Sequence, residues 1–108
     1  MKVYEPEART SPATIEQYGE VADRGGDPRA VAQAWTDAGF DDAVTARWLT
    51  ARCFDAVAAR ALADMRVTPE QAAKRTRDGG GGIDTIAYKV ANGDMTARQG
   101  AARTMSSR

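Results

Sequence analysis

Few side chains in this 108-residue sequence are of a kind that performs chemistry, and they are not spaced to perform it together. Histidine is absent and Cys53 is the single cysteine. Zinc, haem and iron–sulfur ligation therefore lack ligands, and a cysteine nucleophile lacks its imidazole base. Arg52 beside Cys53 would depress a thiol pKa, but the position reads first as a small packing residue at a helix end. Asp41-Asp42 and Asn92-Gly93-Asp94 do not supply the alternating oxygen ligands of a calcium loop. Gly79–Gly82 lacks both the Gly-Lys-Ser/Thr of a P-loop and the strand that precedes a dinucleotide fingerprint. It reads as a hinge or long turn. The expectation is a non-enzyme with no cofactor, no metal site and no catalytic residues.

Charge offers more. Fifteen basic and fifteen acidic residues balance overall, which removes bulk attraction to a polyanion. The ends differ: residues 1–27 hold three basic against six acidic side chains, net −3, and residues 83–108 hold four against two, net +2. On a helix, Glu16, Glu20 and Asp23 fall four and three apart and align in one column. They are the candidate partner-binding residues, a negative patch to meet lysines and arginines of a partner such as a nucleic-acid-binding groove. The competing reading is an ordinary solvated face. A direct DNA contact would need a helix pair with a basic second helix. Around the Asn92-Gly93 turn that helix carries Thr96, Arg98, Gln99 and Arg103 and is weakly basic. At Gly39-Phe40-Asp41 the incoming helix presents Asp42 and Ala43, poor ligands for phosphate.

The elements that must hold these side chains are helical: apolar residues are 43% of the chain, much of it alanine, and 6% are aromatic. Between Trp35 and Val67 one motif recurs. An aromatic or leucine is followed about five residues later by a pair, Gly39-Phe40, Cys53-Phe54 and Arg66-Val67, spaced by 14 and 13 residues. Helix starts are expected at Thr14-x-x-Gln17, Asp27-Pro28, Asp41, Asp55, Thr68-Pro69-Glu70-Gln71, Asp84 and Asp94, each offering a side-chain acceptor to first-turn amides. The helix from Thr68 is expected to reach about Arg77. The fold class is all-α, a compact stack of about six short helices with a 13–14-residue internal motif. One domain is expected over 1–108: an irregular arm at 1–13, a helical stack at 14–78, the glycine loop at 79–82, and a C-terminal helix pair with a polar tail at 83–108. No apolar run approaches the length of a membrane span, and a lone cysteine suits a reducing compartment, so a soluble cytoplasmic protein is expected.

The segments AWTDAGF, ARWLTARCFD, ALADMRVTPEQAA and DTIAYKVANGDMT resemble small all-helical anti-CRISPR proteins of phages and mobile elements that act on type I systems. The resemblance covers about residues 30–105 and rests on Trp-x-x-Ala-Gly-Phe and Val-Ala-Asn-Gly-Asp. It implies a protein of the host bacterial cytoplasm that binds a crRNA-guided surveillance complex and inhibits it without catalysis. The alternative from the residues alone is a small DNA-binding regulator using the C-terminal helix pair.

Overall fold

The computed structural model of the protein describes residues 8–18 and 27–105. Among them the chain forms seven short helices: α1 Pro12–Glu16, α2 Pro28–Asp37, α3 Asp42–Thr50, α4 Ala56–Asp64, α5 Pro69–Ala72, α6 Ile86–Ala91 and α7 Ala97–Met105. A two-residue ribbon joins β1 Arg75–Thr76 to β2 Asp84–Thr85, antiparallel, with Arg75 opposite Thr85 and Thr76 opposite Asp84. The backbone divides into two units, Met1–Thr45 and Ala46–Arg108.

Most helix starts form where an acceptor side chain meets first-turn amides. Asp27 accepts from Arg29 N, with Pro28 at N1. Asp41 accepts from Val44 N at 2.9 Å and Asp55 from Val57 N at 3.0 Å. Thr68 and Gln71 make both bonds of a capping box. Three starts differ from expectation. Helix α1 begins after Ser11, because Pro12 is already set for N1; Thr14 lies inside it and its hydroxyl donates to Asp42 instead. Asp84 belongs to β2, and Thr85 caps α6 by accepting from Tyr88 N at 3.0 Å. Thr96, not Asp94, caps α7: it accepts from Gln99 N while Gln99 Oε1 accepts from Thr96 N, at 3.0 and 2.9 Å. Helix α5 stops at Ala72 rather than reaching Arg77, since Arg75 and Thr76 pair with β2 and Lys74 O accepts from Ile86 N.

Four helices end alike. Gly39, Arg52, Arg66 and Gly93 are left-handed, with φ of 89°, 68°, 67° and 85°. The next amide in each case reaches back five residues: Phe40 to Trp35, Cys53 to Trp48, Val67 to Leu62 and Asp94 to Lys89. This is the Schellman pattern, which satisfies carbonyls the helix leaves open. It corrects the register of the expected motif. The second pair is Arg52-Cys53, not Cys53-Phe54, and the left-handed residues are 13 and then 14 apart. Cys53 is accordingly buried with Phe40 and Val67, while Phe54 is half-buried and meets Tyr88 edge-on at 6.4 Å.

In the first unit the buried set is Ile15, Ala32, Trp35 and Phe40 with the hydroxyls of Thr10 and Thr45. Trp35 and Phe40 rings lie 5.6 Å apart. The inner line of α2 is Ala32 and Trp35; Ala34 is exposed, and Val31 and Ala38 are half-buried. The expected arm splits: residues 1–7 lie outside the described residues, while Thr10 is fixed by its amide to Thr36 Oγ1 and its hydroxyl to Phe40 O, both at 2.9 Å. In the second unit Trp48, Leu49, Ala59, Leu62, Ile86 and Ala87 are all 2% exposed or less. Helix α7 enters that core through Gly100 and Ala101, and Ala102 and Met105 face out. A Cβ at Gly100 would stand 2.8 Å from Val90 Cγ2 and 3.0 Å from Ile86 Cγ2. That contact is why α6 and α7 approach as closely as they do.

Candidate functional site

Net neutrality conceals a division. The first unit carries four basic against nine acidic residues, net −5, and the second carries eleven against six, net +5. Glu16, the first member of the expected acidic column, is exposed at the last residue of α1, which ends there with Gln17 as C-cap. Glu20 and Asp23 lie outside the described residues. The other described acids of this unit, Asp27, Asp37, Asp41 and Asp42, are also exposed. Among the described residues none of these five carboxylates enters an ion pair, whereas Asp64, Glu70, Asp78 and Asp84 of the second unit each meet an arginine. The two described basic residues of the first unit, Arg9 and Arg29, both line a groove of about 440 Å³ with Thr10, Gln33 and Thr36. The remaining described surface of that unit therefore presents anions without cations.

Asp42 combines surface charge with structure. It accepts from Ser11 N at 2.7 Å, Ser11 Oγ at 3.1 Å and Thr14 Oγ1 at 2.7 Å. The Ser11 amide first and the Thr14 hydroxyl second hold its carboxyl below the ordinary 3.8, so it stays ionised. Below it, Thr10 and Thr45 share a 2.7 Å hydroxyl contact in the buried layer. In the sequence Asp42 stands out neither as a calcium ligand nor as a phosphate ligand; its structural task depends on residues about thirty positions away.

Cys53 is sequestered. Burial pushes its thiol up to about 12, against a weak contact to Asp55 O at 3.6 Å. The adjacent Arg52 does not depress it, because the guanidinium turns to Asp84, with Nε and Nη2 at 2.9 and 3.1 Å from the two carboxylate oxygens. That guanidinium lies 4.7 Å over the Tyr88 ring and 5.8 Å from the Phe54 ring. Burial raises the Asp84 pKa, but the Arg52 and Thr85 hydrogen bonds prevail and hold it below 3.8. At the other end of this unit, Arg47 makes a two-point contact with Glu70 and draws that carboxyl down to about 2.

The glycine run lies in the turn that joins β1 to β2. All four glycines have positive φ, between 73° and 86°. Lys89, 1% exposed, extends its ammonium beneath them and donates to the carbonyls of Gly80 and Gly82, the latter at 2.6 Å. No motif in the sequence announces a lysine buried under a glycine loop.

The C-terminal helix pair is arranged for packing. Thr96 and Gln99 are occupied by each other as caps. Arg103 meets Asp78 at 2.6 Å, and Arg98 is exposed. Among the described residues no group of three or more cysteine, aspartate or glutamate side chains is placed to hold a metal ion. No described helix is long and apolar enough to cross a membrane. No protein-family model, curated protein or solved structure matches the chain.

Proposed function

We propose that this chain is a non-enzymatic, protein-binding inhibitor that docks through its acidic first unit on a basic, nucleic-acid-binding surface. The resemblance in its sequence points to a type I crRNA-guided surveillance complex in the host bacterial cytoplasm, whose DNA binding or cleavage it would block. The observation that supports this reading is the acidity of the first unit: nine carboxylates against four cations in its sequence, and five described carboxylates that are all exposed and make no ion pair among the described residues. Exposed anions that no described cation pairs project a field over about one Debye length, 8–10 Å at physiological salt. They speed encounter with a cationic partner and reject anionic ones.

Glu16, Glu20 and Asp23 remain the residues assigned to contact, and Asp37 extends the set because it holds only a Gln33 side chain. Asp27, Asp41 and Asp42 are less suitable probes, since each also caps or staples the fold. Co-purification at low salt with a series of type I surveillance complexes tests the proposal. Retention by at least one complex, reversed by raised salt, is expected. Retention by none removes the inhibitor reading.

A further inference from the structure

The second unit carries the complementary charge, and three of its exposed cations fall within four residues at β1. The residues Lys74, Arg75 and Arg77 are exposed, and among the described residues none is ion-paired within 4 Å. Arg75 lies near enough to Asp84 to help lower its pKa, but Arg52 already occupies both oxygens of that carboxylate. Read as the tail of a helix, these three side chains would spread around a cylinder. In the folded chain Arg75 lies in β1, with Lys74 just before it and Arg77 just after it where the turn begins, so three exposed cations flank one short strand. Counting the groups bonded to or bordering the ribbon, six cations (Arg52, Lys74, Arg75, Arg77, Lys89 and Arg103) face three anions, Asp78, Asp84 and Asp94.

The loop at the ribbon's tip adds backbone donors. Lys89 draws the Gly80 and Gly82 carbonyls inward. In a trans peptide the N–H points opposite to its C=O, so the amides of Gly81 and Ile83 are turned away from the ammonium. Neither donates within the described structure. A Cβ at Gly80 or Gly82 would meet nothing within 4 Å, while one at Gly81 would lie 3.5 Å from Asp94 Oδ2, so the tip is open at Gly80 and Gly82 and bordered by one carboxylate at Gly81.

We propose that this ribbon is a second binding site, one for the sugar–phosphate backbone of duplex DNA. Lys74, Arg75 and Arg77 contact phosphates, and the glycine tip with its outward amides enters a groove. A two-stranded ribbon fits the major groove of B-form DNA, whereas the corresponding groove of RNA helices is too narrow and deep. Residues 74–85 contain no aromatic side chain on which unpaired bases would stack, which disfavours single strands. The site is distinct from the acidic surface and does not depend on the inhibitor reading.

Fluorescence anisotropy of a labelled 20-base-pair DNA with the full chain tests it without any protein partner. Binding is expected at 50 mM salt. Three phosphate contacts predict a loss of affinity of about 40-fold on going to 200 mM salt. The triple variant Lys74→Gln, Arg75→Gln and Arg77→Gln should lose at least tenfold in affinity at 50 mM and most of the salt dependence. Its circular dichroism should match wild type, since all three side chains are exposed. Arg98→Gln, on α7, should bind as wild type. The proposal is overturned by absence of binding at 50 mM salt, by equal affinity of the triple variant, or by tighter binding of single-stranded DNA or duplex RNA than of duplex DNA.

Discussion

Arg52 and Arg66 occupy the same backbone position and invite a matched pair of substitutions. Both are left-handed at a helix end, φ 68° and 67°, where the other two such ends use Gly39 and Gly93. An L-residue there costs about 1–2 kcal/mol, and glycine returns part of that gain, about 0.5–1 kcal/mol, through its freer unfolded chain. Arg66 is exposed and makes no described side-chain contact. Arg66→Gly should therefore stabilise the second unit by about 0.5–1 kcal/mol. Arg52→Gly gains the same backbone relief but loses the two-point bond to Asp84 and the stacking on Tyr88. With those side chains 34% and 20% exposed, solvent reduces the pair to about 1–2 kcal/mol, and the ring contact adds about 0.5–1. Arg52→Gly should thus be net destabilising by about 1 kcal/mol at pH 7, some 2 kcal/mol below its counterpart. Urea unfolding of both variants measures the gap. Because the folded Asp84 pKa is depressed, the pair's contribution is present above the ordinary 3.8 and is lost as pH falls through the folded value. The gap should therefore narrow as pH is lowered from 5 towards 3. A destabilised Arg66→Gly would refute the left-handed argument, and equal stability of the two variants at pH 7 would show that the Arg52–Asp84 contact contributes nothing.

Three further outcomes follow from the packing. Thr10→Val removes the buried hydroxyl contacts of Thr10 to Phe40 O and to Thr45 and should cost about 1–3 kcal/mol; adding Thr45→Val should cost less than the sum of the singles, and strict additivity in urea unfolding would contradict the shared network. Gly100→Ala forces a methyl within 3.0 Å of Val90 and Ile86 and should destabilise by about 1–3 kcal/mol despite alanine's better helix propensity; a stabilised variant in thermal unfolding would mean that α6 and α7 have room to part. Cys53, raised to about 12 by burial, should present roughly a thousandfold fewer thiolates at pH 8 than a free thiol of pKa ~8.5; labelling of the native protein as fast as free cysteine would contradict that burial.

Local capping chemistry was largely legible in the sequence, because an acceptor side chain and its amide lie within three residues of each other. Asp27, Asp41, Asp55 and Thr68 act as expected. The same short motif, Thr-x-x-Gln, closes a capping box at Thr68 and Thr96 but not at Thr14. The difference is tertiary: Asp42 captures the Thr14 hydroxyl, and Ser11-Pro12 starts the helix first. The motif register slipped by one at Cys53 because the sequence signals size and polarity but not φ, and an arginine at a left-handed position looks like any other arginine. The basic ribbon was hidden for a similar reason. After Thr68-Pro69-Glu70-Gln71 nothing local stops a helix before Arg77; the stop comes from pairing with Asp84-Thr85, eight or more residues on. Lys89 beneath its glycine loop is likewise a product of tertiary placement. The charge division between the units was present in the sequence, but its boundary inside α3 follows from the fold.

The central claim is that the acidic first unit is a docking surface for a cationic, nucleic-acid-binding partner. Biolayer interferometry on an immobilised type I surveillance complex tests it most directly, comparing wild type with the combined variant Glu16→Lys, Glu20→Lys, Asp23→Lys and Asp37→Lys at 50 and 200 mM salt. Wild-type binding that weakens with salt, and at least a tenfold loss in the variant at unchanged circular dichroism, is the predicted result. Wild-type protein that fails to bind at 50 mM salt, or a variant that binds as tightly as wild type, would contradict it.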